Sequence, residues 1–412
     1  MEKMNGINGI ITPDEDIKDT NGIIICGEER EKIQQLRERV SNILEPEKNE
    51  NDLYLRKWLI ARNFDVEKAE EMLKKHVRFM KVNGLDKIDE NYIPPEVSKY
   101  FLTRMLGYDN EGSIVRILHL GGSDIKGLAL SMTKLDSIKV AAYTIKSDLL
   151  RQKQERVNGL PSCDKQVYIL DLQGLSWKSV IHTTVVERAF MLLKTYEANY
   201  PESLKVAYLV NAPSFFSFIY NWLKSFLPES ILSKVEILSP GEVPAALTKK
   251  IDPSILPACL GGTKVDPDGN PECPSLYEKP MGATIPENMM LTNQFHVLKE
   301  DKSAKKTIVE NRSAFRIEHL ITEPNSILKW DFQTTQYDIR LGLNYKPDKA
   351  SEFEEIIPLH RVESHRIPES GSFSCQNAGI YEIVFDNTYS WINKKELIYK
   401  IAVSLPEKNS NN

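Results

Sequence analysis

The chain has no excess of positive charge: 53 Lys and Arg stand against 58 Asp and Glu, for a net charge of −5. No strongly basic domain is available to neutralise phosphates, which argues against nucleic acid as a partner. Cysteine is scarce and scattered. Cys26, Cys163, Cys259, Cys273 and Cys375 are odd in number and never spaced as CxxC, which argues against a disulfide framework or a zinc site and suits reduced cytosolic thiols. No charged segment followed by an apolar run opens the chain, since Ile23–Ile25 is far too short. Nor does any stretch reach the roughly 18–20 apolar residues of a membrane span. A soluble, cytoplasmic protein is expected, and in that setting Asn311-Arg312-Ser313 matches a glycosylation acceptor only by coincidence.

Catalytic signatures are also missing. There is no GxGxxG after a strand, no Walker A loop, no HExxH and no GxSxG. His119-Leu120-Gly121-Gly122-Ser123 follows a strand but lacks the Lys and spacing of a phosphate loop, so it reads as a turn. Asp171 sits at a strand end, where doubly wound folds place ligands. With no His or second carboxylate close in sequence, it reads as a capping residue rather than a base. His182 reads as an ordinary helix residue. The expectation is no catalytic residue, no metal and no cofactor, hence a protein that binds rather than transforms. No internal repeat is present.

What the chain does have is length, 412 residues, enough for two or three domains with proper cores. It also has one very apolar segment. From Phe215 to Leu227, nine of thirteen residues are large and apolar or aromatic: Phe215, Phe216, Phe218, Ile219, Tyr220, Trp222, Leu223, Phe226 and Leu227. On a helix they fill an arc of roughly 200°, about twice what a one-sided surface helix needs. Burying each is worth about 1.5–3 kcal/mol, so core, an apolar ligand or a membrane must cover them.

Residues 1–27 have no period and read as a flexible tail. From 28 to 90 the pattern is helical: Ile33, Leu36, Val40 and Ile43 are spaced 3-4-3 up to Pro46, Leu55, Trp58 and Leu59 mark a second helix, and Asp65 caps a third that stops at Gly84. Residues 91–263 alternate strands and helices. Ile114–Leu120, Val167–Leu172, Val206–Asn211 and Val235–Leu238 read as strands, and Lys134–Arg156 and Ser179–Asn199 as helices. Nearly continuous apolar strands between long helices predict a mostly parallel sheet covered by helices. Residues 264–282, with four prolines, read as linker. Short alternating runs across 283–406 predict an antiparallel β-sandwich, with a tail over 407–412.

These segments resemble a known family. Leu55–Asp65 (LRKWLIARNFD) resembles the helical-lobe signature of the CRAL-TRIO lipid-transfer family, and Tyr168–Ser176 (YILDLQGLS) its central strand. Asn199–Glu202 (NYPE), Val210–Pro213 (VNAP) and Leu260–Thr263 (LGGT) are similar to three further blocks in the same order. Gly261–Cys273 and Gly379–Ile392 (GIYEIVFDNTYSWI) resemble the animal subfamily that carries a C-terminal GOLD sandwich. The resemblance implies an α/β lipid-binding domain with a helical N-terminal lobe, followed by that all-β sandwich. It implies a single hydrophobic lipid held over the sheet, with the helix after the VNAP-like turn as a gate that opens at a membrane surface. Phe215, Phe216, Phe218, Ile219, Trp222, Leu223 and Phe226 are then the gate and pocket residues.

The resemblance also bears on the headgroup. Phosphatidylinositol-binding members use an Arg, a Glu, a Thr and a Lys, and Arg62, Glu202 and Lys234 fall at the Arg, Glu and Lys positions. Ile231 stands at the Thr position and Asn63 replaces a second basic residue, which weakens a site for an inositol phosphate. The plain alternative for the three charges is solvation and a structural ion pair. Choline-binding members place hydroxyl residues along the central strand, where this chain has Gln166 and Tyr168. The subfamily resemblance implies a neutral isoprenoid such as tocopherol or squalene. Lys299, Lys302, Lys305 and Lys306 could meet anionic headgroups, although a solvated loop is the plainer reading. Expected partners are the lipid, a transient membrane surface (Golgi or endoplasmic reticulum) and a protein contact through the sandwich, with the chain itself a monomer. A lipid-sensing trafficking adaptor acting through the sandwich is the alternative function.

Overall fold

The structure, a computed structural model, describes residues 17–18, 24–86, 88–89, 92–156, 163–224, 227, 229–291, 298, 301–366 and 368–405. A short pairing of β1 (Ile17–Lys18) with β2 (Ile24–Ile25) precedes the helices α1 (Gly27–Val40), α2 (Pro46–Asn49), α3 (Asp52–Ile60) and α4 (Val66–Val82). The segment read as a flexible tail is therefore partly built into the lobe: Ile25 is buried with Ile33, Leu36, Leu55, Trp58 and Leu73. Asp65 caps α4 by accepting from the Lys68 amide at 3.0 Å. Gly84, at φ 64°, follows the end of that helix in a conformation that suits glycine.

Next come β3 (Thr103–Tyr108), β4 (Ile114–His119), α5 (Ile125–Ser131), α6 (Lys134–Arg156), β5 (Gln166–Asp171), α7 (Trp177–Val180) and α8 (Thr183–Asn199). They are followed by β6 (Leu204–Val210), α9 (Phe216–Leu223), α10 (Glu229–Leu232), β7 (Val235–Ile237) and α11 (Val243–Thr248). The five strands form one sheet in the order β3-β4-β5-β6-β7, parallel throughout except for the antiparallel edge pair β3–β4. Because β4 to β7 lie side by side in chain order, crossovers of one hand carry α5 to α10 over the same face. Side chains of α5, α7, α8, α9 and α10 pack there, and α11 with the turns down to Leu260 covers the other face. His182 proves to be the residue just before α8 rather than one within a helix.

Residues 264–282, linker-like in composition, run as a strap against this layer. Cys273 is buried, the Gly282 amide donates to the Gly122 carbonyl at 2.8 Å, and the Ser275 amide donates to Asp266 at 2.9 Å. Beyond it the strands β8 (Lys305–Val309), β9 (Ala314–Ile321), β10 (Ser326–Thr334), β11 (Ile339–Lys346), β12 (Glu354–Val362), β13 (Glu369–Cys375), β14 (Gly379–Asp386) and β15 (Lys395–Ser404) form two antiparallel sheets. Their orders are β13-β10-β15-β8 and β12-β11-β14-β9. Inward side chains of both sheets, among them Leu328, Trp330, Phe332, Leu343, Ile383 and Phe385, share one core. The expected sandwich is present, with β13 as a strand the alternation had not signalled.

Candidate functional site

The period of two along β5 and β6 divides their side chains between two layers. Val167, Ile169, Val206, Tyr208 and Val210 pack toward Val243, Leu247, Leu256 and Leu260. Tyr168, Leu170, Ala207 and Leu209 point the other way and meet Leu172, Leu175, Phe216 and Tyr220. Strand and α9 thus close over one apolar layer. On α9, Phe216 and Ile219 are 7% and 5% exposed, whereas Phe218 is 69% exposed. Trp177 of α7 sets its ring 5.4 Å from that of half-buried Phe215 and 6.2 Å from that of Phe218. Trp177, Ile181 and Phe218 are all exposed, so the two helices present an aromatic patch to water beside the buried layer. Nothing in the spacing of the sequence links Trp177 to this patch.

The apolar segment is shorter as a helix than expected, spanning Phe216–Leu223, eight residues or about 12 Å. The side chains of Trp222 and Leu223, and Phe226 as a whole, lie outside the described residues, so their expected place in the gate has no structural account.

Polar groups enter the same layer from the sheet. Tyr168 donates its hydroxyl to Gln166, and Tyr196 of α8 reaches the same Gln166 oxygen at 3.4 Å. The rings of Tyr168 and Tyr196 meet edge-on at 6.3 Å, and Tyr200 stacks on Tyr196 at 5.6 Å. Burial drives the Tyr168 and Tyr196 phenols far above their ordinary range and Tyr200 up to about 12, so all three stay protonated. Beside them Arg116 holds Asp148 through two bonds of 2.7 and 2.6 Å. Gln166 and Tyr168 came from the central strand in sequence, while Tyr196 and Tyr200 were missed because an aromatic at helical spacing reads first as core.

Of the headgroup candidates, the structure brings Glu202 and Lys234 together, Nζ to Oε2 at 3.4 Å. Arg62 has a backbone partner of its own, donating to the Ala61 carbonyl at 2.7 Å in the turn after α3. That turn is unusual: Asn63 and Phe64 both have positive φ, 52° and 58°. Asn is among the residues that tolerate this conformation best. Ile231 packs into the apolar layer.

The strand ends carry a polar knot. Asp171 accepts from the Gln173 amide and from the Asn211 side chain, each at 3.0 Å. The Gly122 amide donates to His119 Nδ1 at 3.0 Å, so the neutral ring carries its proton on Nε2, 3.8 Å from Asp171. A methyl group at Gly121 would stand 1.9 Å from the Gln173 carbonyl oxygen. The HLGGS segment is therefore a tight turn locked to the next strand end through the Leu120 amide on the Asp171 carbonyl at 2.8 Å, while the Asp171 carboxylate caps its own turn. Among the described residues no group of three His, Cys, Asp or Glu could hold a metal ion, and no helix is long and apolar enough to cross a membrane.

Comparison with known proteins matches this layer. The CRAL/TRIO domain profile matches residues 98–262, which span the sheet and its covering helices. The protein ctg-1 of Caenorhabditis elegans is 28% identical over 381 residues, a match spanning 91% of this chain and 96% of that one. Protein real-time of Aedes aegypti is 25% identical over 333 residues, covering 78% of this chain and 49% of the mosquito protein. Among solved structures, a crystal structure of Sfh5 aligns with a TM-score of 0.47 at 16% identity, covering 66% of this chain and 98% of Sfh5. On the profile match, the chain carries a CRAL/TRIO domain over residues 98–262.

Proposed function

We propose that this protein binds one hydrophobic lipid between α9 and the sheet face of Tyr168, Leu170, Ala207 and Leu209, and exchanges it at membrane surfaces. The CRAL/TRIO match supports lipid binding and transfer in general. The observation that carries the finer reading is the two-sidedness of α9. Phe216 and Ile219 are buried inward while Phe218 is exposed beside Trp177. An inward face of this kind suits a lipid tail, and the outward aromatics suit the interfacial region of a bilayer. Lifting so short a helix exposes little apolar surface, provided the membrane receives it, so the barrier to exchange is physical and no covalent chemistry is needed.

The cargo class follows from the polar groups in the layer. Glu202 and Lys234 already satisfy one another, and Ile231 offers no hydroxyl, so an inositol phosphate would have to displace an ion pair and do without one donor. Tyr168, Gln166 and Tyr196 offer neutral hydrogen bonds. A neutral lipid with at most one hydroxyl, such as a tocopherol- or squalene-like isoprenoid, fits better than phosphatidylinositol. We assign the sandwich to the GOLD type on the Gly379–Ile392 resemblance.

The test is extraction of the purified protein with organic solvent and mass spectrometry of the extract, alongside vesicle-to-vesicle transfer. Stoichiometric lipid is expected, and Phe218→Asp should keep the melting temperature while lowering transfer about tenfold or more. An extract without lipid, together with unchanged transfer by that variant, overturns the reading.

A further inference from the structure

The most exposed pair of neighbouring large apolar side chains in the sandwich lies far along the sequence from α9. Trp391 and Ile392, at the tip of the β14–β15 loop, are 72% and 86% exposed. Exposed apolar side chains are common singly, but here two adjoin on a loop that is unusually well tied. The Asn387 side chain donates to the carbonyls of Val309, Glu310 and Asn393 at 3.3, 3.1 and 2.9 Å. Asn311 donates to the Trp391 carbonyl at 2.9 Å, and Ser390 to the Asn393 carbonyl at 2.9 Å. The Arg312 amide reaches the carbonyls of Asn387 and Ser390 at 3.2 and 3.1 Å. The backbone is thus held in place while the two side chains point at water, so ordering them on a surface costs little further entropy.

We propose that this loop is a membrane anchor that inserts Trp391 and Ile392 into the interface of an anionic phospholipid bilayer. Size and charge select that partner over a protein. The tip offers two exposed large apolar side chains, whereas a stable protein contact needs about 800 Å² on each partner. Two cations flank it. The Arg312 guanidinium lies 3.8 Å over the Trp391 ring, and Lys394, two residues past Ile392, is exposed. Two neighbouring acids are already engaged, Asp338 by the Tyr389 hydroxyl at 3.0 Å and Arg361 at 3.3 Å, and Asp386 by Arg340 at 3.4 Å. Glu310 is exposed on the adjoining loop and opposes the attraction. An aromatic ring capped by a guanidinium is amphipathic in the way interfacial anchors are, with its apolar body toward the acyl chains and its charge at the headgroups. The anchor stands whether or not the α/β layer carries a lipid, because it uses none of that layer's residues.

The test uses the full chain and vesicles of phosphatidylcholine with and without phosphatidylserine. Cosedimentation with the phosphatidylserine vesicles is expected to fall about tenfold or more in Trp391→Asp and in Ile392→Asp, with unchanged melting temperature and unchanged extractable lipid. Quenching of tryptophan emission by brominated acyl chains should be stronger in the parent chain than in Trp391→Phe. Vesicle binding that is equal in the parent and both aspartate variants overturns the proposal. So does binding without any Trp391-dependent quenching, or a parent chain that ignores anionic vesicles while binding a protein through this loop.

Discussion

Single residues in the α/β layer show how polar groups are held under an apolar cover. Asp148 is buried, Arg116 nearly so, and the two are joined twice. Replacing Asp148 by Ala leaves a guanidinium buried without its counter-charge, an expected loss of about 3–5 kcal/mol in urea unfolding at unchanged slope. His76 of α4 is a second such group, its Nδ1 donating to Asn199 at 3.0 Å at the end of α8 and its ring 4.8 Å from Trp58. Burial pushes His76 down to about 4, from an ordinary 6.5. Between those values the unfolded chain binds a proton that the folded chain refuses, so stability falls as pH drops from 6.5 toward 4. Thermal melts across that window should show the slope in the parent and lose it in His76→Gln. Neither His76 nor Asp148 was legible as special in sequence, because both sit on regular helices and owe their behaviour to partners far along the chain.

At the scale of elements, α9 separates stability from exchange. Phe216 is buried in the layer and Phe218 is exposed. Phe216→Ala is expected to cost about 3–5 kcal/mol through lost contacts and the cavity left behind, measured by denaturant unfolding. Phe218→Asp acts in transfer instead, so the two variants should fall on different axes. The layer's strands were readable because β5 and β6 are apolar on both faces and no helix surface repeats that pattern. The strand β13 (Glu369–Cys375) was not readable: its sequence ESGSFSC has one large apolar residue, and it lies at the edge of its sheet. Partner strand β10 holds it by a continuous register from Ser326–Cys375 to Phe332–Glu369. A strand held mainly through backbone pairing leaves little trace in its side chains.

At the scale of the molecule, the sandwich meets the α/β layer through charge. Arg366, between β12 and β13, lies 3.3 Å from both Glu187 of α8 and Glu363. Lys134, Arg188 and Glu369 line the same cleft. Burial, with Glu363 close by, pushes Glu187 up to about 7, and burial does the same to Glu369 against the pull of Lys134 and Arg188. Between pH 4.5 and 7 the folded chain holds protons on these carboxyls that the unfolded chain has released, so their contribution to stability falls as pH rises through that window. This slope opposes that of His76 where the windows overlap. Comparing Glu187→Gln/Glu369→Gln with the parent should therefore flatten the loss of stability between pH 5 and about 7.5, read by thermal melts.

The sequence by itself determined the layers. Period-two alternation and continuous apolar runs decide which segments become strands and which faces are buried, since both follow from local geometry and the cost of wetting apolar surface. It also singled out the aromatic segment that became α9. Only the tertiary structure decided what those residues meet: that Phe218 faces out beside Trp177, that Glu202 finds Lys234, and that Trp391 stands in water with Arg312 over its ring. The physical reason is range. Propensity and periodicity act within a few residues, whereas exposure, ion pairing and shifted protonation depend on neighbours that the closing of the sheet and the sandwich brings from elsewhere in the chain.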